Sequence, residues 1–257
     1  MSNTKNFKGL NLFTLKFIAI FAMTIDHVAW ACIPFDSVLG QIMHVVGRFT
    51  IPIMCFAIVE GYLHTSNIVK YALRLLIFGI ISETPFYMFF GSMYGYRQNI
   101  IIDLLLALLT IMIAASENNS LSAKIIAIIS LGIISSIIGG WPLLPMVYVL
   151  IFYFFRNKFG KICLFFSIVT VVMVVVVTLF SIINNNVHIL NVDWKWYDKL
   201  YLLGFILPLA LIYFYNGEKG GNRFSSSFFY VYYPAHLLVL SIAFSTMTDI
   251  RSIFIIV

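Results

Sequence analysis

From about residue 13 to residue 247 the chain is a series of apolar runs separated by short polar breaks, and this pattern decides the fold class before any motif is read. With 61% of its residues hydrophobic and 10% charged, the chain carries more apolar surface than an ordinary water-soluble core absorbs. A bilayer accepts such runs, because a helix closes its own backbone hydrogen bonds and ~20 apolar residues cross the hydrocarbon layer. Runs near 13–33, 49–63, 70–90, 99–115, 123–138, 142–155, 161–183, 200–215 and 228–247 predict an all-α polytopic integral membrane protein of nine or ten transmembrane helices. No repeat of fixed period and no soluble domain is visible, so residues 1–257 read as one transmembrane domain.

The charges read as topology. A net charge of +6 would suit nucleic acid if the basic residues were gathered on one face, but they are scattered among the ends of apolar runs. With the N-terminus in the cytoplasm, eleven of the 16 Lys and Arg residues fall on the cytoplasmic side, and nine spans then leave the C-terminus outside. Lys5, Lys8 and Lys16 ahead of the first run imitate a signal peptide, but Asp26, His27 and the lack of a small-residue cleavage pattern mark an uncleaved first helix. Cys32, Cys55 and Cys163 all lie in apolar runs without C-x-x-C spacing, which predicts buried thiols and no metal site. The segment GGWPLLP at 139–145 predicts a tight hairpin before a tilted or broken helix, and Trp194, Trp196 and Tyr197 suit an outer interfacial belt.

Within the first run, FIAIFAMTIDH places an aspartate beside a histidine about two-thirds of the way across. A charge near the bilayer centre costs at least ~2.5–3.5 kcal/mol on insertion scales, so Asp26 and His27 are functional candidates by default. Arg48, at the start of the second run, falls at a depth where it can neutralise Asp26. Adjacent helical residues diverge by ~100°, so a partner for His27 must come from another helix, and Glu83 and Asp103 both lie at suitable depth. His236, behind Pro234 in the last run, adds a second intramembrane imidazole. Near the cytoplasmic side, Glu60 and His64 share a helix face, as do Lys70 and Arg74, and two cations on one face suit phosphate. His44 and His188 read as solvated loop residues.

Four stretches in order, LKFIAIFAMTIDH (15–27), GRFTIPIMCFAIVEGYLHTSN (47–67), KYALRLLIFGIISETPFYMFF (70–90) and YYPAHLLVL (232–240), together resemble the TraX family of membrane acetyltransferases. That family is named for the protein that N-acetylates conjugative pilin. The resemblance implies a bacterial plasma (inner) membrane enzyme that moves an acetyl or other acyl group from cytoplasmic acetyl-CoA to an amine or hydroxyl. The acceptor would be a small molecule, a glycan or a protein N-terminus. It implies His27 as general base, Arg48 on the oxyanion or on Asp26, and His236 as a second acid-base group; no serine or cysteine stands in an obvious nucleophile motif, so direct transfer without an acyl-enzyme is expected. Lys70, Arg74, Glu60 and His64 would then meet the CoA. Besides the acyl-CoA and its acceptor, only the lipid bilayer is expected as a partner, and no nucleic acid. The rival reading from the same residues is a proton-coupled transporter or channel, since Asp, Glu and His in a bundle also build proton relays.

Overall fold

The computed structural model describes residues 9–91, 98–184 and 200–254. Among these residues the chain is helical: α1 (Leu12–Cys32), α2 (Val38–Gly47), α3 (Thr50–His64), α4 (Ile68–Phe90), α5 (Ile100–Ala115), α6 (Leu121–Ile138), α7 (Leu144–Phe154), α8 (Phe159–Asn184), α9 (Pro208–Tyr213) and α10 (Arg223–Phe254), with a 3-10 helix over Leu200–Phe205. Five starts carry the expected chemistry. The side chains of Asn11, Ser37, Asn67, Asn99 and Ser120 each accept a hydrogen bond from a backbone N–H in the first turn of α1, α2, α4, α5 and α6.

Six stretches of the described residues are long and apolar enough to cross a bilayer: α1, α2 and α3 together as Val38–His64, α4, α6, Phe159–Val176 of α8 and Ser227–Phe244 of α10. The chain is an integral membrane protein. Three further runs of the expected nine are apolar but short, Ile100–Ala115, Leu144–Phe154 and Tyr201–Tyr213. The reasons are local. Leu143 adopts a left-handed conformation with φ 63° and Pro145 stands at the start of α7, so that run becomes helical late. The 200–215 run is divided into a 3-10 helix and α9, with Pro208 opening the second piece. At 1.5 Å per residue the 11 residues of α7 reach roughly half of a ~30 Å hydrocarbon layer.

The short helices are nonetheless interior. Tyr148 and Phe152 of α7, Leu108 of α5 and Phe205 are almost wholly buried, and α7 packs against both α3 and α5. α6 and α8 instead expose most of their apolar side chains, as lipid-facing helices do. α1 lies against α2, α3 and α10, and α4 and α10 pack along each other. Each of the last two contains a proline, Pro85 and Pro234, which removes one N–H from the helix ladder and leaves the carbonyls of Ile81 and Tyr230 without that donor.

Two expectations fail here. The region between the first two runs is a helix rather than an external loop, because Ser37 caps it and Val38, Leu39, Ile42, Val45 and Val46 give it an apolar side. Cys32 is exposed at the end of α1, while Cys55 is buried and Cys163 half-buried; all three are free thiols. At the opposite end of the bundle, Leu10 and Tyr215 form a single parallel bridge, the only β contact among the described residues. Leu12 N–H and Phe13 N–H also donate to the carbonyls of Glu218 and Lys219, which fixes the 214–219 segment beside the start of α1. His188, Trp194, Trp196, Tyr197 and Arg97 lie outside the described residues.

Candidate functional site

Asp26 is the hub. Its two oxygens accept hydrogen bonds from Nη1 of Arg48 at 3.2 and 3.1 Å, and its Oδ1 lies 2.7 Å from Nδ1 of His44. His44 is completely buried between Trp30 and Phe35, so its reading as a solvated loop residue is overturned by the helical run that turns it inward. The Arg48 guanidinium also lies over the rings of Trp141 and Tyr201, at 4.9 and 5.1 Å from their centroids. Its Nε is buried and meets no acceptor among the described residues. A buried guanidinium that spends one terminal nitrogen on a carboxylate keeps donors for another negative charge.

Helix α2 approaches α1 closely enough to make these bonds because residue 47 has no side chain. A Cβ at Gly47 would enter the Asp26 carboxylate, an overlap that a helix end and a paired acid have little room to relieve. We therefore expect Gly47→Ala to destabilise the protein by about 1–3 kcal/mol or more, the usual scale of overpacking, read as a lowered melting temperature in nanodiscs. An unchanged melt would show that α2 moves freely on α1.

His27, on the face of α1 next to Asp26, is 8% exposed and turns toward α10. Its Nδ1 lies 2.7 Å from Nε2 of His236, with the two ring planes within 5° of parallel. Phe89 and Phe90 of α4 lie against the His27 ring, with centroids 5.7 and 5.5 Å away. Neither Glu83 nor Asp103 bonds His27, which corrects the expectation that one of them orients it. Glu83 accepts from the backbone and side-chain nitrogens of Asn99, clamping α4 to the start of α5. Asp103 Oδ2 accepts from the backbone N–H of Trp141 at 3.0 Å and holds the GGW turn. Gly139 and Gly140 let that turn lie against the carboxylate, where a Cβ on either would crowd it.

Asp26, His27, Arg48, Trp30 and Trp141 line a chamber of about 70 Å³. Met23, Thr50, Ile100 and Tyr233 form its inner wall and are shared with a second chamber of about 80 Å³. That chamber in turn shares Lys16, Ala57, Tyr71 and Tyr230 with a third cavity of about 450 Å³. The third cavity holds Lys16, Arg74, Lys219, Glu60 and His64. Lys70 is exposed and outside its walls, so the expected pairing of Lys70 with Arg74 is corrected: only Arg74 turns to the cavity.

Glu60 is 2% exposed and is held by Arg156, at 2.9 Å from Nη2, and by the hydroxyl of Tyr215, which donates at 3.0 Å. His64 stacks back on its own helix, with Nδ1 2.9 Å from the Glu60 carbonyl and 3.8 Å from the carboxylate. Burial and the Glu60 charge push the Tyr215 phenol well above its usual range, so it stays a donor. Arg156 and Lys16 were visible in the sequence only as topological charges, and no local signal brings Arg156 to Glu60 or Lys16 to the cavity wall. Among the described residues no cluster of three or more His, Cys, Asp or Glu side chains is set to hold a metal ion.

A family model described as TraX protein matches residues 11–243, which includes Asp26, His27, Arg48, Arg74 and His236. The chain belongs to the TraX family. Another similar protein is the probable fimbrial assembly protein FimC, serogroup H1, of Dichelobacter nodosus, 32% identical over 244 residues, which cover 89% of this chain and 93% of that one. No solved structure matches. Because the TraX match runs through α5 to α9 as well, it includes a stretch whose sequence carries no motif but whose turn residues Trp141 and Arg156, and Tyr201 of the 3-10 helix, reach Arg48 and Glu60.

Proposed function

We propose that this TraX-family protein is an acyltransferase of a bacterial inner membrane, with its N-terminus in the cytoplasm, that moves an acetyl or other acyl group from acyl-CoA to an amine or hydroxyl. The observation that supports this most is the run of three chambers with shared walls, from a wide basic cavity to a small one beside a buried histidine. Arg156 already takes the charge of Glu60, so Lys16, Arg74 and Lys219 leave the wide cavity net positive, as the phosphates of CoA require. Lys16 and His27 are eleven residues apart on α1, roughly 16 Å at 1.5 Å per residue, a span that an extended pantetheine arm reaches. The thioester then arrives at the chamber of Asp26, His27 and Arg48.

There His27 takes the proton of the attacking amine or hydroxyl as the new bond to the thioester carbonyl forms. The oxyanion meets the spare donors of Arg48, the C–S bond breaks, and the proton passes to the departing CoA thiolate. The acceptor is a small molecule, a glycan or a protein N-terminus; for the last, the relative from Dichelobacter nodosus is named for fimbrial assembly. The decisive experiment supplies acetyl-CoA to the purified protein in nanodiscs and measures free CoA in the presence of amine and hydroxyl acceptors. Release above the rate without protein is the expected result. Its absence, with proton-driven solute flux in liposomes instead, would favour a transporter, to which a column of chambers is also suited.

Topology has its own test. Reporter fusions are expected to place the N-terminus and the 156–161 connection in the cytoplasm, and an external Lys158 would reverse the direction in which the donor enters.

A further inference from the structure

We infer that His236 is a positioning residue that fixes His27 in its Nδ1–H tautomer, so that Nε2 of His27 is the nitrogen that takes the proton. The chemistry rests on the acyl-transfer reading above; the tautomers rest on hydrogen bonds. Nδ1 of His236 lies 3.0 Å from the carbonyl oxygen of Tyr232, one turn earlier in α10. A carbonyl only accepts, so this nitrogen carries a proton. Neither imidazole bonds a carboxylate, and a buried neutral ring with one N–H leaves its other nitrogen bare. Nε2 of His236 is therefore an acceptor. The partner at 2.7 Å, Nδ1 of His27, is then the donor, and the lone pair of His27 stands on Nε2.

The backbone thus sets the second ring, and the second ring sets the first. No proton needs to leave His236 for this to work, which distinguishes it from the second acid-base group that the sequence led us to expect. The geometry is braced one turn away. The Tyr232 ring lies parallel to His236 within 10°, and its hydroxyl is 2.6 Å from Oγ1 of Thr24. Thr24 donates to the Ile20 carbonyl at 2.8 Å, so Tyr232 is the donor to Thr24. Thr24–Tyr232 and His27–His236 are two rungs joining α1 to α10.

Glutamine places an amide oxygen near the position of the histidine Nε2 and accepts a hydrogen bond, but it does not shuttle protons. For the full-length protein in nanodiscs we expect His236→Gln to keep kcat for CoA release within about tenfold of the native value, and His236→Ala to lower it by about a hundredfold or more, in the range of a disabled acid-base group. Equal loss in both variants, with unchanged melting, would overturn the inference and make His236 a proton carrier. Nitrogen-15 spectra of histidine-labelled protein, assigned with the same variants, supply a readout that does not need activity. Both rings are expected as Nδ1–H tautomers, and an Nε2–H form of His27 overturns the assignment. If the native protein releases no CoA, the acyl-transfer reading falls while the spectra still decide the tautomers.

Discussion

Arg48→Ala is expected to be among the most damaging single changes to folding at the site, with a cost of about 3–5 kcal/mol, because it strands a buried charge. Asp26 and Arg48 are both almost fully enclosed, and the arginine supplies bonds to both carboxylate oxygens. With Arg48 removed, Asp26 keeps only His44, whose single nitrogen at 2.7 Å replaces part of what is lost. His27→Ala, by comparison, removes a neutral ring and its bond to His236. Two measurements separate these cases, the yield of monodisperse protein and its melting temperature in nanodiscs. The double variant Asp26→Asn with Arg48→Met is expected to recover most of the loss, since it deletes both charges and leaves an amide oxygen for His44 to bond. Equal yield and melting of Arg48→Ala, His27→Ala and the double variant would show that the pair carries no stability.

The pairing of Asp26 with Arg48 was legible in the sequence because cost and depth are sequence properties. An acid inside an apolar run demands a counter-charge, and Arg48 is the next one along the chain. The partner of His27 was not, because depth alone made Glu83 and Asp103 equal candidates and said nothing of rotation. Those acids are drawn away by local needs: Asn99 is a helix cap that itself must be held, and the GGW turn leaves a backbone N–H for Asp103. His44 was misplaced for a different reason. Its segment contains Gly40, Gln41 and His44, which dilute an apolar run to the point of resembling a loop, whereas the Ser37 cap is the signal that marks it as helix.

Long apolar runs gave α1, α4, α6 and α8 to within two residues at either end, since length and composition decide whether a helix crosses, whereas α10 runs five residues earlier and seven later than its apolar run. Hydropathy alone did not separate a crossing helix from a short one enclosed by others. α7 is as apolar as a spanning helix, yet it ends after 11 residues, and its side chains are buried by α3, α5 and α8. Arg156 illustrates the same limit for charge. It reads as an anchor at a helix end, and the fold brings it to a glutamate 96 positions earlier in the chain.

The remaining large effect separates the two ends of the chamber run. Arg74 lines the wide cavity and lies against Tyr71, 5.7 Å from its centroid, while His27 lines the narrow one, and none of the wall residues of the first touches the second directly. Arg74 therefore meets the donor through its phosphates, which are present in both the ground state and the transition state, so its removal should weaken binding uniformly. Arg74→Ala is expected to raise the apparent KM for acetyl-CoA about tenfold with kcat nearly unchanged, and to weaken CoA in direct titration by the same factor. His27 acts only when the thioester is attacked. His27→Ala is expected to lower kcat by about 10²–10⁴-fold, the range of a lost general base, while CoA titrates as it does with the native protein. Should Arg74→Ala leave CoA affinity unchanged and His27→Ala abolish it, the donor enters from the Asp26 end, and the wide basic cavity belongs to another ligand.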